Sequence, residues 1–136
     1  MTTEWGTPGQ VVARRTLEVT RNAIVRYQGA SGDFNPVHHD DEVARATGYP
    51  GAFTVGMLPA AVLGTLVREW RPDGHLRDIS VRFLSQTWPG DVLQFAATLA
   101  AIAEEGPDRL VTLSLSCVRQ TGDAALSGRA EVVFRP

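Results

Sequence analysis

Between Gly56 and Trp70 the sequence GMLPAAVLGTLVREW puts apolar side chains around almost the whole circumference of a helix. Leu58, Val62 and Leu66 make one stripe. Met57, Ala60, Ala61, Leu63, Val67 and Trp70 fill most of the remainder, and charge enters only at Arg68 and Glu69. A helix without a broad polar face has to be enclosed by other structure, which rules out a fold that leaves it on the surface. Pro59 is compatible with a helix starting near Val55 or Gly56, because first-turn N–H groups have no intrahelical partner to lose.

What encloses this helix is legible further along the chain. After Pro72-Asp73-Gly74 the period changes from helical to alternating: Ile79, Val81 and Phe83 interleave with Asp78, Ser80 and Arg82, and Leu93, Phe95, Ala97 and Leu99 continue a period of two. Pro89-Gly90-Asp91, Glu105-Gly106-Pro107-Asp108 and Thr121-Gly122-Asp123 are turns that separate strands ending with Leu110–Val118 and Ala125–Phe134. Phe95 to Glu105 is alanine-rich and a fair helix former by propensity, so its assignment as strand rests on the turns that flank it. Upstream, Val11–Val19 reads as a strand, and Thr20 as the N-cap of a helix through Tyr27 and Ala30. Asp40 or Asp41 can cap a short helix stopped by Gly48 and Pro50. A chain of 136 residues fits one domain, here residues 1–136. Burying an all-apolar helix beside antiparallel strands requires the sheet to curl around it, an α+β architecture of the hot-dog kind.

Charge is nearly balanced, at net −2, and gives no basic stripe able to neutralise a run of phosphates, so nucleic acid is not an expected partner. The single cysteine, Cys117, falls on the same side of its strand as Val111, Leu113 and Leu115 and reads as a small buried apolar residue. No apolar run is long enough to span a bilayer, and Met1 to Gly6 lacks the pattern of a secretion signal. A soluble, cytoplasmic protein without a membrane association is expected.

The chemistry-bearing stretch is Ser31 to Asp40, SGDFNPVHHD. On a continuous helix Asp33 and His38 would lie roughly 140° apart and could not meet. Pro36 prevents that helix and forces Asn35 into an extended conformation. An Asn-Pro corner can therefore bring the carboxylate to the imidazole. Spacing alone leaves a second reading open, a capped helix end followed by a polar loop. Downstream, Gly56 opens the apolar helix, where free N–H groups and the positive end of the helix dipole favour a developing oxyanion. Acid, base and oxyanion donor together are what proton transfer next to a carbonyl requires.

The segment Tyr27 to Gly64, YQGASGDFNPVHHDDEVARATGYPGAFTVGMLPAAVLG, resembles the hydratase signature of the MaoC-like dehydratases. That hot-dog family includes (R)-specific enoyl-CoA hydratases and mycobacterial (3R)-hydroxyacyl-ACP dehydratase subunits. The downstream DISVRF and PGD agree in pattern. The resemblance implies a hydro-lyase that interconverts (R)-3-hydroxyacyl and trans-2-enoyl thioesters of CoA or acyl carrier protein. It implies Asp33 and His38 as the catalytic pair holding a water, and the Gly56 amide as donor to the thioester oxygen. No cofactor and no metal is implied. A dimer is expected, of two identical chains or two related ones.

The sequence departs from the family at Val55-Gly56-Met57, where His-Gly-Met is usual. The backbone donor is retained and a polar contact near the thioester is lost. That departure motivates one alternative, a specialised or non-catalytic subunit of a heterodimeric dehydratase; a second is a hot-dog thioesterase, although no carboxylate is placed on the buried helix as expected for it. Asn35 reads as a turn residue that holds the loop, His75 as part of the Pro72–Leu76 turn, and Arg82 as a surface arginine. His38 and His39, being adjacent, diverge and do not make a metal pair.

Overall fold

The computed structural model describes residues 4–136; the reading of the extreme N-terminus rests partly on residues 1–3, outside the described residues. The chain begins with strand β1 (Val11–Glu18) and helix α1 (Arg21–Ser31). A single 3₁₀ turn over Pro36–His38 leads into the short helix α2 (Asp41–Ala46). The long helix α3 (Met57–Trp70) follows, then four strands: β2 (His75–Phe83), β3 (Val92–Glu105), β4 (Asp108–Arg119) and β5 (Ala124–Phe134). The strands form one sheet in the order β1-β3-β4-β5-β2, every neighbour antiparallel. Helix α3 lies against all five strands, so this is the hot-dog arrangement.

Alternation explains the sheet's inner face. Leu93, Phe95, Ala97 and Leu99 of β3, Val111, Leu113, Leu115 and Cys117 of β4, and Ala130 and Val132 of β5 are all buried. They meet Ala60, Leu63, Leu66 and Val67 of α3 in one core that also takes in Val19, Ile24 and Val55. The alanine-rich segment is strand despite its helical propensity, because β3 is held between β1 and β4 and its odd-numbered residues from Leu93 to Leu99 fill this core. Its register slips between Leu99 and Ala101, opposite Leu113 and Thr112, where the strict alternation ends.

Three details of the sequence reading change. The buried stripe of α3 runs through Pro59, Ala60, Leu63, Leu66 and Val67, with Leu58 and Val62 only half-buried. The helix is not enclosed on all sides within one chain: Met57 is 53% exposed, and Ala61 and Thr65 on the same side are also exposed. The five strands cover one face of α3, and its low polarity elsewhere is left unexplained by the single chain. His75 is not part of a turn but the first residue of β2.

Capping follows the residue chemistry. The Thr20 hydroxyl accepts from the Ala23 N–H at 3.0 Å. Asp40, not Asp41, caps α2, accepting from Glu42 N at 2.9 Å and Val43 N at 3.2 Å. Asp41 instead ties the segment before α3 to α1: it accepts from the Ala52 N–H at 2.8 Å and from the Arg21 guanidinium at 3.0 Å. Those two contacts hold its carboxyl below the usual aspartate range.

Candidate active site

Helix α1 ends at Ser31, and Gly32 adopts φ 77°, a left-handed conformation that glycine accepts without strain. The chain then turns sharply. Asp33 Oδ1 accepts from the Asn35 N–H and Asn35 Oδ1 from the Val37 N–H, both at 3.2 Å, so each polar side chain folds back onto the loop. Asn35 has φ −57° and ψ 121°, the extended geometry that Pro36 imposes on its predecessor.

This corner brings Asp33 and His38 together. Nε2 of His38 lies 3.9 Å from Oδ2 of Asp33, with the imidazole almost buried and the carboxylate about half exposed. Nδ1 of His38 lies 2.8 Å from the main-chain oxygen of Phe53, in the segment before α3. A carbonyl only accepts, so Nδ1 carries the hydrogen, and in the neutral ring Nε2 is the bare nitrogen facing the carboxylate. Asp33 and His38 are too far apart to bond each other. At hydrogen-bond lengths of about 2.8 Å their spacing suits one water donating to both.

Gly56 is reached through Phe53. The Phe53 ring packs edge-on against His38, with centroids 5.0 Å apart, and three residues later Gly56 forms the N-cap of α3. Among the described residues nothing accepts from the Gly56 N–H. A pocket of about 370 Å³ is lined by Phe53, Gly56, Pro59, Phe83, Leu84 and Thr87, among others. Asp33 and His38 do not line it, and His38 adjoins it through its contact with the Phe53 ring. A β-carbon at Gly56 would come 3.2 Å from the Phe83 ring, so glycine is what lets that aromatic lie over the start of the helix.

The remaining candidates sort plainly. Val55 is buried in the core and does not face the pocket, so at this position packing replaces any polar contact. His38 and His39 turn to different partners, Phe53 O and Gln28 Oε1. The only acid of α3, Glu69, lies in its last turn and pairs with Arg15 at 3.1 Å. Arg82 is exposed.

Two contributors escaped the sequence reading. Phe53 acts through a main-chain oxygen, which no residue pattern can advertise. Gln28 is buried and holds the loop, and a signal for it existed: it sits four residues after Ile24, on the helix stripe where an apolar residue belongs.

Residues 4–116 match the model of the MaoC like domain family, and the chain belongs to that family of hot-dog proteins. Its sequence is 25% identical over 124 residues to the mitochondrial 3-hydroxyacyl-[acyl-carrier-protein] dehydratase of Arabidopsis thaliana, covering 90% of this chain and 75% of that one. The (R)-specific enoyl-CoA hydratase of Aeromonas caviae is 27% identical over 111 residues, 80% of this chain and 81% of its own. A solved (R)-hydratase structure from A. caviae superposes with a TM-score of 0.85 at 26% identity, over 98% of this chain and 100% of that one. The 3R-hydroxyacyl-ACP dehydratase complex of Mycobacterium tuberculosis superposes at 0.78 with 14% identity, over 98% and 99%, a likeness of fold alone.

Proposed function

We infer that this protein is an (R)-specific hydro-lyase acting on acyl thioesters, adding water to a trans-2-enoyl group or removing it from an (R)-3-hydroxyacyl group. The observation that carries the reading is the 3.9 Å approach of a bare imidazole nitrogen to a carboxylate, beside a helix start with an unused N–H. Family membership and the relatives' activities support it.

In hydration, a water held between Asp33 and His38 loses a proton to Nε2 while its oxygen bonds Cβ of the enoyl group. Electrons of the double bond move toward the thioester oxygen, which the Gly56 N–H stabilises. The proton on His38 then passes to Cα, the carbonyl re-forms, and the pair returns to its starting state. Asp33 stays ionised, holds the second hydrogen of the water and stabilises the transient imidazolium. Dehydration is the same sequence reversed. The apolar pocket beyond Gly56, walled by Phe83, Leu84 and Leu126, receives the acyl chain.

The active form we propose is a dimer, residues 1–136 of each copy forming one hot-dog unit. Strand β2 is a sheet edge, and Ile79, Phe83 and Leu84 on or beside it are exposed next to the open side of α3. A second copy covers both. CoA or acyl carrier protein is the carrier. A cytoplasmic location accords with the finding that, among the described residues, no helix is long and apolar enough to cross a membrane.

The test is hydration of crotonyl-CoA and longer trans-2-enoyl-CoAs by the purified protein, followed by loss of the conjugated thioester's absorbance and by chiral analysis. Formation of the (R)-3-hydroxyacyl product is expected. Absence of turnover at every chain length would overturn the reading, and release of free thiol instead would favour a thioesterase.

A further inference from the structure

We propose that Gln28 is a positioning residue for the acid–base pair, its buried carboxamide setting the backbone of the loop that carries Asp33 and His38. This rests on the catalytic reading of those two residues given above. Helix α1 buries only Ile24 and Gln28, the latter 2% exposed. A carboxamide in that place is costly unless its polar atoms are bonded. They are. Nε2 donates to the main-chain oxygens of Asp33, at 3.0 Å, and Asn35, at 3.2 Å, using both amide hydrogens.

Two carbonyls cannot face an amide oxygen, so the orientation of Gln28 is fixed by chemistry. Its Oε1 consequently faces Nδ1 of His39 at 3.1 Å, and that nitrogen carries the hydrogen. One side chain on a rigid helix thus grips the loop at residues 33, 35 and 39, on either side of His38. The same Asn35 carbonyl also accepts from the His38 N–H at 3.1 Å. His38 is pinned from the other side by Phe53 O. Asp33, whose side chain is half exposed, is tied within the loop itself, through the Asn35 N–H, so its distance to His38 depends on the main chain that Gln28 holds.

Gln28→Met preserves length and approximate volume and removes every hydrogen bond. It is expected to lower kcat for enoyl-CoA hydration by up to about a hundredfold, the cost of roughly an ångström of misplacement, with KM within about twofold. Long-range ¹H–¹⁵N correlation spectra of the histidine rings, which need no substrate, supply the second readout. In the wild type both His38 and His39 are expected as Nδ1–H tautomers; in Gln28→Met, His39 loses that state while His38 keeps it. Wild-type kcat in Gln28→Met, or an unprotonated Nδ1 on His39 in the wild-type protein, would overturn the proposal. A wild-type enzyme inactive on every enoyl thioester would instead sink the catalytic reading, with the ring spectra still deciding the Gln28 contacts. If Gln28→Met does not fold, the wild-type spectra decide alone.

Discussion

The main-chain oxygen of Phe53 stands 2.8 Å from Nδ1 of His38, and this one contact decides which ring nitrogen is free. Because the oxygen can only accept, the hydrogen stays on Nδ1 and the lone pair on Nε2 points to Asp33. A backbone atom beside the start of α3 thereby sets the proton chemistry of a side chain on a loop after α1. The same segment, Phe53 to Gly56, then delivers the unpaired N–H at the helix start.

Removing either member of the pair should abolish most of the rate, and Asp33→Asn should do so at little cost in stability. Asp33→Asn keeps the oxygen that accepts from the Asn35 N–H and should lower crotonyl-CoA hydration by about 10²- to 10⁴-fold, as should His38→Ala. For Asp33→Asn, at an exposed position, the change in unfolding free energy should stay within about 0.5 kcal/mol, measured by urea titration.

A matched pair of variants at Gly56 isolates the backbone donor. The glycine φ of −55° suits proline, and its N–H has no protein partner to lose. Gly56→Ala and Gly56→Pro both add a β-carbon against the Phe83 ring, which is more than half exposed and free to give way. Only proline removes the donor. Gly56→Pro should therefore be slower than Gly56→Ala by about 10²- to 10³-fold in kcat. Equal rates would exclude the Gly56 amide from catalysis.

Asp91 contributes stability that depends on pH. Burial alone would raise its carboxyl, but hydrogen bonds from Arg119, Gln120 and the Trp88 N–H outweigh burial and hold it below the ordinary aspartate value. Its contribution is therefore complete above the unfolded value of about 3.9 and is lost as pH falls through the lower folded value. Asp91→Asn should cost about 2 kcal/mol at pH 7, the lower end for a bond to a partly exposed partner. The gap between wild type and variant should narrow below about pH 4, as urea midpoints at the two pH values would reveal.

Cys117 should be inert while the protein is folded. Burial in the core pushes its thiol up to about 12, and it has no exposed surface. Ellman's reagent at pH 8 should react with less than one thiol per chain until denaturant is added. Rapid native labelling would mean that β4 and β5 separate readily.

Dimer formation should depend on the apolar strip beside β2. Ile79→Arg places a charge between α3 and the sheet edge, where Ile79 Cδ1 lies 3.9 Å from the position a β-carbon on Gly64 would take. Light scattering should give a dimer for the wild type and a monomer for the variant. A wild-type monomer at micromolar concentration would contradict the proposed assembly.

The elements and the kind of chemistry were legible in local stretches of the chain. Apolar period in Met57–Trp70, alternation in the later strands, and the stops at Pro36 and Gly90 are local properties, written in residues a few positions apart. So were the loop geometry around Asn35-Pro36 and the candidacy of Asp33, His38 and Gly56. Tertiary structure alone decided which face of α3 is covered, since that depends on strands distant in sequence, and it left Met57 and Ala61 open where periodicity implied enclosure. It also decided the free nitrogen of His38, the grip of Gln28 and the core position of Val55. Those follow from a carbonyl, an amide and a packing direction brought together in space, and no spacing along the chain encodes them.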